Sequence, residues 1–486
     1  MVKSFPGKQH RFYQMIRPPA RVHLLGICGT GMAALAGMFH AAGFTVTGSD
    51  QGMYPPMSDF LTQLGIPVFE GYSSANLNPR PDLAVIGNVI RRTNPEAAAI
   101  ERYGIPFLSM PQALTTYFTA GQRRIVIAGT HGKTTVSAMI AWILNQEGFD
   151  PGFMIGGIPK NFGTNHRLGG GRVFVLEGDE YDTAYFDKRP KFLHYLPDIA
   201  VVTSCEFDHA DIYRDLEQIR KRFKEFISLV PPRGGIVAWG DDSSIIQHLM
   251  VQANAPILVY GRGEGMHWRV VDASVSEEGM QVKLAANGSL VAEGRLPLLG
   301  MHNVLNAAAA IAACHWVGVD PQAAMHALGT FKGVKRRQEI VCNARGILLM
   351  DDFAHHPTAV RETCDGIKAR YPNRRLIAVF EPRTNTSRRS VFQQEYVSAF
   401  EDADVVVARE PRDIAHIPET DRFSSSRLVH DLQRLAKRAY AFEDTDEIVA
   451  FLCHEMRPED IILVMSNGNF DNILSRLKSH LQGVSG

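Results

Sequence analysis

Ile125-Val126-Ile127-Ala128-Gly129-Thr130-His131-Gly132-Lys133-Thr134-Thr135 joins an apolar, strand-like run to a glycine-rich turn, a lysine and two hydroxyls. The next residues, Val136-Ser137-Ala138-Met139-Ile140-Ala141-Trp142-Ile143-Leu144, carry a helical pattern. Backbone N–H groups in such a turn, together with the positive end of the helix dipole, favour a polyphosphate. Lys133 is then expected to reach the outer phosphates of ATP and Thr134 to offer its hydroxyl to Mg²⁺. A full Walker pattern has glycine at position 127, where this chain has Ile127, so the loop reads as a shortened variant. Gly129, Thr130, His131, Gly132, Lys133, Thr134 and Thr135 form the expected ATP cradle.

Outward from this loop, strand-like and helical patterns alternate along most of the 486 residues, which indicates parallel α/β layers. At roughly 150 residues per domain the length suits three domains. The expected divisions are a flexible lead-in over 1–20, then 21–120, 121–333 and 334–486. From about 235 to 298 the texture shifts to short alternating strands, read as an antiparallel addition.

Lys plus Arg and Asp plus Glu both number 51, a balance that argues against a surface coating nucleic acid and leaves room for a local basic groove. The six cysteines lack C-x-x-C spacing and look like reduced, buried small hydrophobes of a cytoplasmic protein. No run approaches the ~20 apolar residues of a membrane span, and the first twenty residues lack an apolar signal core.

Gly26-Ile27-Cys28-Gly29-Thr30-Gly31 follows the first strand-like run, and Ser49-Asp50 closes the second. That spacing suits a nucleotide-binding βαβ unit, with Gly26, Gly29 and Gly31 beside Cys28 and Thr30 for the tight turn and close diphosphate approach, and with Asp50, after Ser49, near a ribose or base. The order G-x-x-G-x-G departs from the dinucleotide fingerprint and weakens an NAD-dependent redox reading. Acidic clusters Glu177–Asp182 and Glu206–Asp211 each follow a strand, where an Mg²⁺–ATP site belongs, and single out Glu177 and His209 beside Thr134. His302, Asn303 and Asn306 open an alanine-rich helix, where they suit either an adenine edge or ordinary capping. Asp351-Asp352-Phe353-Ala354-His355-His356 reads as a substrate-facing loop. Glu381-Pro382-Arg383-Thr384-Asn385-Thr386-Ser387-Arg388-Arg389 reads as a basic loop suited to carboxylates.

Taken in order, GICGTGM, GSD, AGTHGKTT, EGDEYD, EFDHAD, GMHNVLNA, VKRRQE and DDFAHHPT resemble the motifs of a Mur ligase across nearly the whole chain after the lead-in. Tyr54–Ser58, Phe186–Arg189, His194-Tyr195, Val464–Gly468 and Glu381-Pro382-Arg383 look more like the branch that takes a murein peptide than the alanine-adding branch. The resemblance implies an α/β fold of three domains: an N-terminal Rossmann-like domain, a central P-loop ATPase-like domain and a C-terminal Rossmann-like domain. It implies that ATP activates the carboxylate of UDP-N-acetylmuramate as an acyl phosphate, which the amine of L-Ala-γ-D-Glu-meso-diaminopimelate then attacks, in peptidoglycan recycling. Lys133, Glu177, His209 and His355 become the expected catalytic set, with Thr134, Glu177 and His209 around Mg²⁺. Asn306 looks adenine-binding, Arg337 and Asp352 look like contacts to phosphate and ribose, and Arg383, Asn385, Arg388 and His355 face the acceptor. The competing readings are the same ligase with free L-alanine as acceptor, and a P-loop ATPase or nucleotide-binding regulator without ligase activity.

Overall fold

The computed structural model describes residues 15–53, 57–210 and 212–483. Most of the 1–20 lead-in, Tyr54-Pro55-Pro56 and Asp211 therefore lie outside the described residues. By internal contacts the chain divides into two compact units. One comprises residues 1–124, 150–156 and 165–196, and the other residues 125–149, 157–164 and 197–486.

In the first unit, five parallel strands run in the order Val68–Glu70, Thr45–Asp50, Arg21–Leu25, Leu83–Ile86 and Phe107–Ser109. Gly48 lets the turn after the neighbouring strand close over the sheet, since a Cβ there would lie 2.5 Å from the Ile27 side chain and 2.7 Å from the carbonyl of Leu24, its strand partner. The helix Thr30–Ala41 follows the first glycine turn and buries most of its residues. The unit also holds the short strands Gly152–Met154 and Val173–Glu177, paired in parallel, and a hairpin of Asp182–Ala184 with Asp187–Pro190.

A buried polar knot ties this first sheet to a helix. Glu96, in the first turn of the helix Pro95–Arg102, is fully buried. Its Oε1 meets His23 Nε2 at 2.6 Å and accepts from Ser49 Oγ at 2.7 Å, while Oε2 accepts from Asn76 Nδ2 at 2.8 Å and the Ser73 N–H at 3.1 Å. Burial alone would raise the Glu96 carboxyl, but the partnership with His23, Ser49 and Asn76 outweighs it and holds the group below its ordinary value.

In the second unit, the run Ile125–Ala128 pairs in parallel with Ile199–Val202, which is followed in order by Gly235–Trp239 and Ile257–Gly261. These last two strands were expected to be antiparallel. They are parallel because the helix Ser243–Met250 crosses between them. The antiparallel meander begins at Trp268–Ser276 and continues through Gly279–Ala286 and Ser289–Leu296.

The C-terminal sheet runs in the order Glu339–Ala344, Ile347–Asp352, Asp460–Met465, Arg375–Phe380, Val405–Arg409 and Arg438–Phe442. Only the first pair is antiparallel. Successive residues of Arg375–Phe380 alternate between two cores: Leu376, Ala378 and Phe380 on one face, Ile377 and Val379 on the other. Burial on both faces explains why these strands read as continuous apolar runs. Asp352, Ser466, Glu381 and Arg409 arrive together at the carboxyl ends of adjacent parallel strands, where such sheets place ligands.

Replacing Glu96 with alanine strands His23 and Asn76 beside an empty acceptor, and should cost about 3–5 kcal/mol. Because the folded carboxyl titrates below the unfolded one, this contribution is present above the unfolded value of about 4.3 and is lost as pH falls through the folded value. Thermal unfolding of wild type and Glu96→Ala from pH 7 to pH 3 should show a large gap that narrows only at the acid end.

Candidate functional site

The loop Gly129–Thr135 is shaped by what its glycines omit. Gly129 has φ +147°, and a Cβ there would lie 2.1 Å from Thr203 Oγ1 and 2.9 Å from the Ser204 nitrogen. Gly132 has φ +79°, with a Cβ position 2.5 Å from Asn306 Oδ1. The helix Lys133–Gln146 starts at Gly132 with no side-chain cap, so its first-turn N–H groups are presented at the turn.

Hydrogen bonds stitch the loop to residues 203–206, just after the strand Ile199–Val202. Thr130 Oγ1 donates to the Glu206 carbonyl at 3.1 Å and accepts the Glu206 N–H at 2.9 Å. The His131 N–H donates to Ser204 Oγ at 2.8 Å, and Thr203 Oγ1 donates to the His131 carbonyl. Lys133 Nζ folds back onto the Gly129 carbonyl at 2.5 Å, and Thr134 and Thr135 are buried.

The nearby expected residues fall into distinct settings. Asn306 presents Oδ1 to Gly132, and Asn303 Nδ2 donates to the Leu299 carbonyl at 2.7 Å. His302 is lowered to about 4, first by burial and then by Arg337. Arg337 lies over the Phe353 ring at 4.8 Å. Asp352 Oδ2 accepts the Gln338 N–H and Oδ1 the Ala354 N–H, both at 2.7 Å, so the carboxylate organises two backbone segments. Asp351 and Asp352 end their strand instead of following it.

His209 sits on left-handed backbone, φ +57°, and its N–H donates to Asp208 Oδ1 at 2.7 Å. Burial opposes ionisation of Asp208, yet His209, His355 and His356 together hold it well below the ordinary carboxylate range. His355 Nδ1 lies 3.0 Å from the Phe353 carbonyl and Nε2 3.9 Å from Asp208 Oδ2. Burial lowers the His355 imidazole, so its neutral form dominates near neutral pH. His356 caps the helix Pro357–Arg370, and Thr358 Oγ1 on that helix donates to Glu206 Oε2 at 2.7 Å. The motifs around residues 131, 206 and 356 are thus drawn together in one unit.

In the first unit, Gly26 has φ +75° and its N–H donates to the Ser49 carbonyl at 2.8 Å. The Cys28 N–H donates to Asp50 Oδ2 at 2.9 Å, and Gly29 leads into Thr30 and Gly31 without a side-chain cap on the helix. Burial, then the Asp50 charge, raises the Cys28 thiol to about 11, so it stays protonated. Glu177 ends its strand and accepts the Gly156 N–H at 2.7 Å. The Phe186–Arg189 stretch is part of a charged hairpin: Arg189 donates twice to Asp187, at 3.0 and 2.7 Å, and His194 lies 3.1 Å from the same carboxylate.

At the basic loop, Arg383 is 43% exposed beside Glu381, at 4.0 Å, and its guanidinium covers Gly468. Arg388 packs near Asp413 at 3.7 Å, and Asn385 is half-buried on the same loop. Beneath them lies a pair the sequence reading missed. Glu381 is buried and receives bonds from Arg409 and Ser466, and Arg409 is shared with Asp471, which accepts from it at 2.7 Å and from Arg412 at 3.0 Å. The one available signal was that both Glu381 and Arg409 fall at the carboxyl ends of apolar runs.

Family comparisons agree with this architecture. Residues 21–120 match the Mur ligase family catalytic domain, 127–314 the Mur ligase middle domain, and 336–468 the Mur ligase glutamate ligase domain. The chain belongs to the Mur ligase family. The UDP-N-acetylmuramate–L-alanyl-gamma-D-glutamyl-meso-2,6-diaminoheptandioate ligase of Escherichia coli (strain K12) is 39% identical over 460 residues, 94% of this chain and 97% of that protein. The UDP-N-acetylmuramate–L-alanine ligase of Desulfitobacterium hafniense is 34% identical over 452 residues, 93% of this chain and 98% of that protein. A solved murein peptide ligase from Psychrobacter arcticus 273-4 aligns with TM-score 0.72 and 35% identity over 96% of this chain and 100% of its own. The UDP-N-acetylmuramate-alanine ligase of Thermotoga maritima shares the fold, with TM-score 0.78 at 24% identity over 96% of this chain and 100% of its own.

A Cβ at position 129 meets both a hydroxyl and backbone, and the backbone there is one that L side chains rarely adopt. Strain of about 1–3 kcal/mol is expected. Gly129→Ala should therefore weaken ATP binding by roughly 5- to 150-fold in calorimetric titration, with the global fold retained by circular dichroism.

Proposed function

We propose that this chain is an ATP-dependent ligase that joins UDP-N-acetylmuramate to L-Ala-γ-D-Glu-meso-diaminopimelate, recovering a murein tripeptide for wall synthesis. The observation that carries the acceptor assignment is the cationic strand edge: Arg383 lies exposed above a buried Glu381–Arg409 pair, with Arg412 nearby. A tripeptide brings several carboxylates that free alanine lacks, and guanidinium forks match them. Identity is also higher to the Escherichia coli tripeptide ligase than to the Desulfitobacterium alanine ligase.

The three segments 21–120, 121–333 and 334–486 would serve donor, ATP and acceptor respectively. Gly26, Cys28, Gly29, Thr30 and Gly31 would offer backbone N–H groups to the donor diphosphate, with Ser49 and Asp50 bracing the turn. Gly129 to Thr135 would cradle ATP, and Lys133 would exchange the Gly129 carbonyl for a phosphate oxygen. Asn306, with His302 and Asn303, would border the adenine, while Arg337 and Asp352 would serve phosphate and ribose.

Within the second unit the hydroxyl of Thr134 has the hard oxygen chemistry that Mg²⁺ takes, and His209, held on strained backbone, would join it; the Glu177 carboxylate of the first unit has the same oxygen chemistry. When bound, that ion would supply charge neutralisation for the phosphates. Lys133 stabilises negative charge as the lactyl carboxylate attacks the γ-phosphorus, forming an acyl phosphate as the bond to ADP breaks. The amine then attacks the acyl carbon, the amide bond forms and phosphate leaves. His355 would take the amine proton on Nε2, since its Nδ1–H is directed at the Phe353 carbonyl. The free cysteines support a reducing, cytoplasmic setting, and no helix among the described residues is long and apolar enough to cross a membrane.

Phosphate release with ATP, Mg²⁺ and UDP-N-acetylmuramate, supplied with either tripeptide or L-alanine and checked by product mass, tests the assignment. Turnover with tripeptide should far exceed that with alanine; the reverse order would make this an alanine-adding enzyme. Lys133→Ala should lose roughly 10²-fold or more in rate, the cost of one charged contact in the transition state. Arg383→Ala should lose about 10- to 100-fold in kcat/KM for tripeptide while KM for ATP stays within twofold, a charged hydrogen bond being worth about 1.5–3 kcal/mol.

A further inference from the structure

We propose that His131, Glu206 and His356 form a binding site for a borderline divalent transition metal of the Zn²⁺ class, separate from the oxygen-rich Mg²⁺–ATP chemistry. His131 belongs to the phosphate loop, Glu206 to the segment after Ile199–Val202, and His356 to the start of the helix Pro357–Arg370. Their ligand atoms all lie within 4.8 Å of one another. His131 Nε2 is 3.6 Å from Glu206 Oε2, and His356 Nδ1 is 3.7 Å from the same oxygen.

Those separations are too long for direct hydrogen bonds. They are close to the edge of a tetrahedron whose centre lies about 2.0–2.1 Å from each ligand, which is about 3.3 Å. His131 Nε2 is buried, and its recorded side-chain partner is Glu206 Oε2 at 3.6 Å, beyond hydrogen-bond length.

The surroundings have the character of an outer ligand shell. His356 Nε2 lies 3.2 Å from the Phe207 carbonyl, a contact that places the proton on Nε2 and leaves the Nδ1 lone pair facing Glu206. The competing donor to Nδ1, the Thr358 N–H, is at a long 3.3 Å. Thr358 Oγ1 orients the Glu206 carboxylate, and two backbone bonds fix His131. Glu206 is 31% exposed, which leaves an approach for the ion and a water as fourth ligand.

Two imidazoles and one carboxylate select Zn²⁺, Co²⁺ or Ni²⁺; Mg²⁺ demands oxygen ligands. A bound ion would pin the phosphate loop to the C-terminal helix, a link that needs none of the ligase substrates. The inference is independent of the acceptor assignment.

Full-length protein stripped with chelator and titrated with Zn²⁺ by calorimetry, without nucleotide, tests it. Wild type should bind one ion per chain at this site, and the affinity should fall at least 10-fold in both His356→Ala and the near-isosteric Glu206→Gln. Millimolar Mg²⁺ should not displace the ion. Bound Co²⁺ should give the intense visible absorption of a tetrahedral site, lost in the same variants. Circular dichroism confirms folding, and if His356→Ala misfolds, Glu206→Gln decides alone. No binding to wild type, or equal stoichiometry and affinity in Glu206→Gln, overturns the proposal.

Discussion

The reciprocal bond between Thr130 and the backbone of Glu206 is the constraint on which the glycine-rich loop of the second unit depends. A glycine-rich turn has no intrinsic reason to hold one conformation, because glycine loses more freedom on ordering than any other residue. Here the hydroxyl of Thr130 donates to one backbone group of Glu206 and accepts from the other. The loop is thereby fixed to a segment 76 residues away. Gly129 can approach Thr203 only because it lacks a side chain, so the same contact that orders the loop also excludes any other residue there.

The C-terminal sheet solves a related problem with charge. A cationic edge built from several arginines would repel itself unless anions were interleaved. Glu381 and Asp471 do this, one buried beneath Arg383 and against Arg409, the other between Arg409 and Arg412. Ser466, from the neighbouring strand, completes the buried acceptor's bonding. Strand order, not sequence proximity, makes this possible, since Arg375–Phe380 lies between Asp460–Met465 and Val405–Arg409.

Local pattern carried much of the fold. Apolar runs at Ile125–Ala128, Leu376–Phe380 and Ile461–Val464 all lie in strands, and the family's motif order fits the α/β architecture. The strands Gly235–Trp239 and Ile257–Gly261 were misread as antiparallel because the short helix between them was taken for part of a strand-and-turn texture. Glu206 and His356 were visible only as members of an acidic loop and a histidine pair. Their meeting depends on contacts spanning about 150 residues, as between Thr358 and Glu206, and no spacing rule reaches that far. Arg409 was hidden for the converse reason: a charged residue at the end of an apolar run looks like solvated surface until its neighbours are known.

The layered arrangement at the carboxyl edge of the C-terminal sheet separates two kinds of position. Glu381 and Arg409 are almost wholly inaccessible and hold strand ends in place, whereas Arg383 projects outward from the same ladder with much of its side chain in water. Substitutions at the outer layer leave the buried scaffold's bonds intact and so cost little in folding. Changes in the inner layer would disturb three strands at once and be purged. Chemistry presented on the outer layer is thereby decoupled from the bonds that hold the three strand ends together.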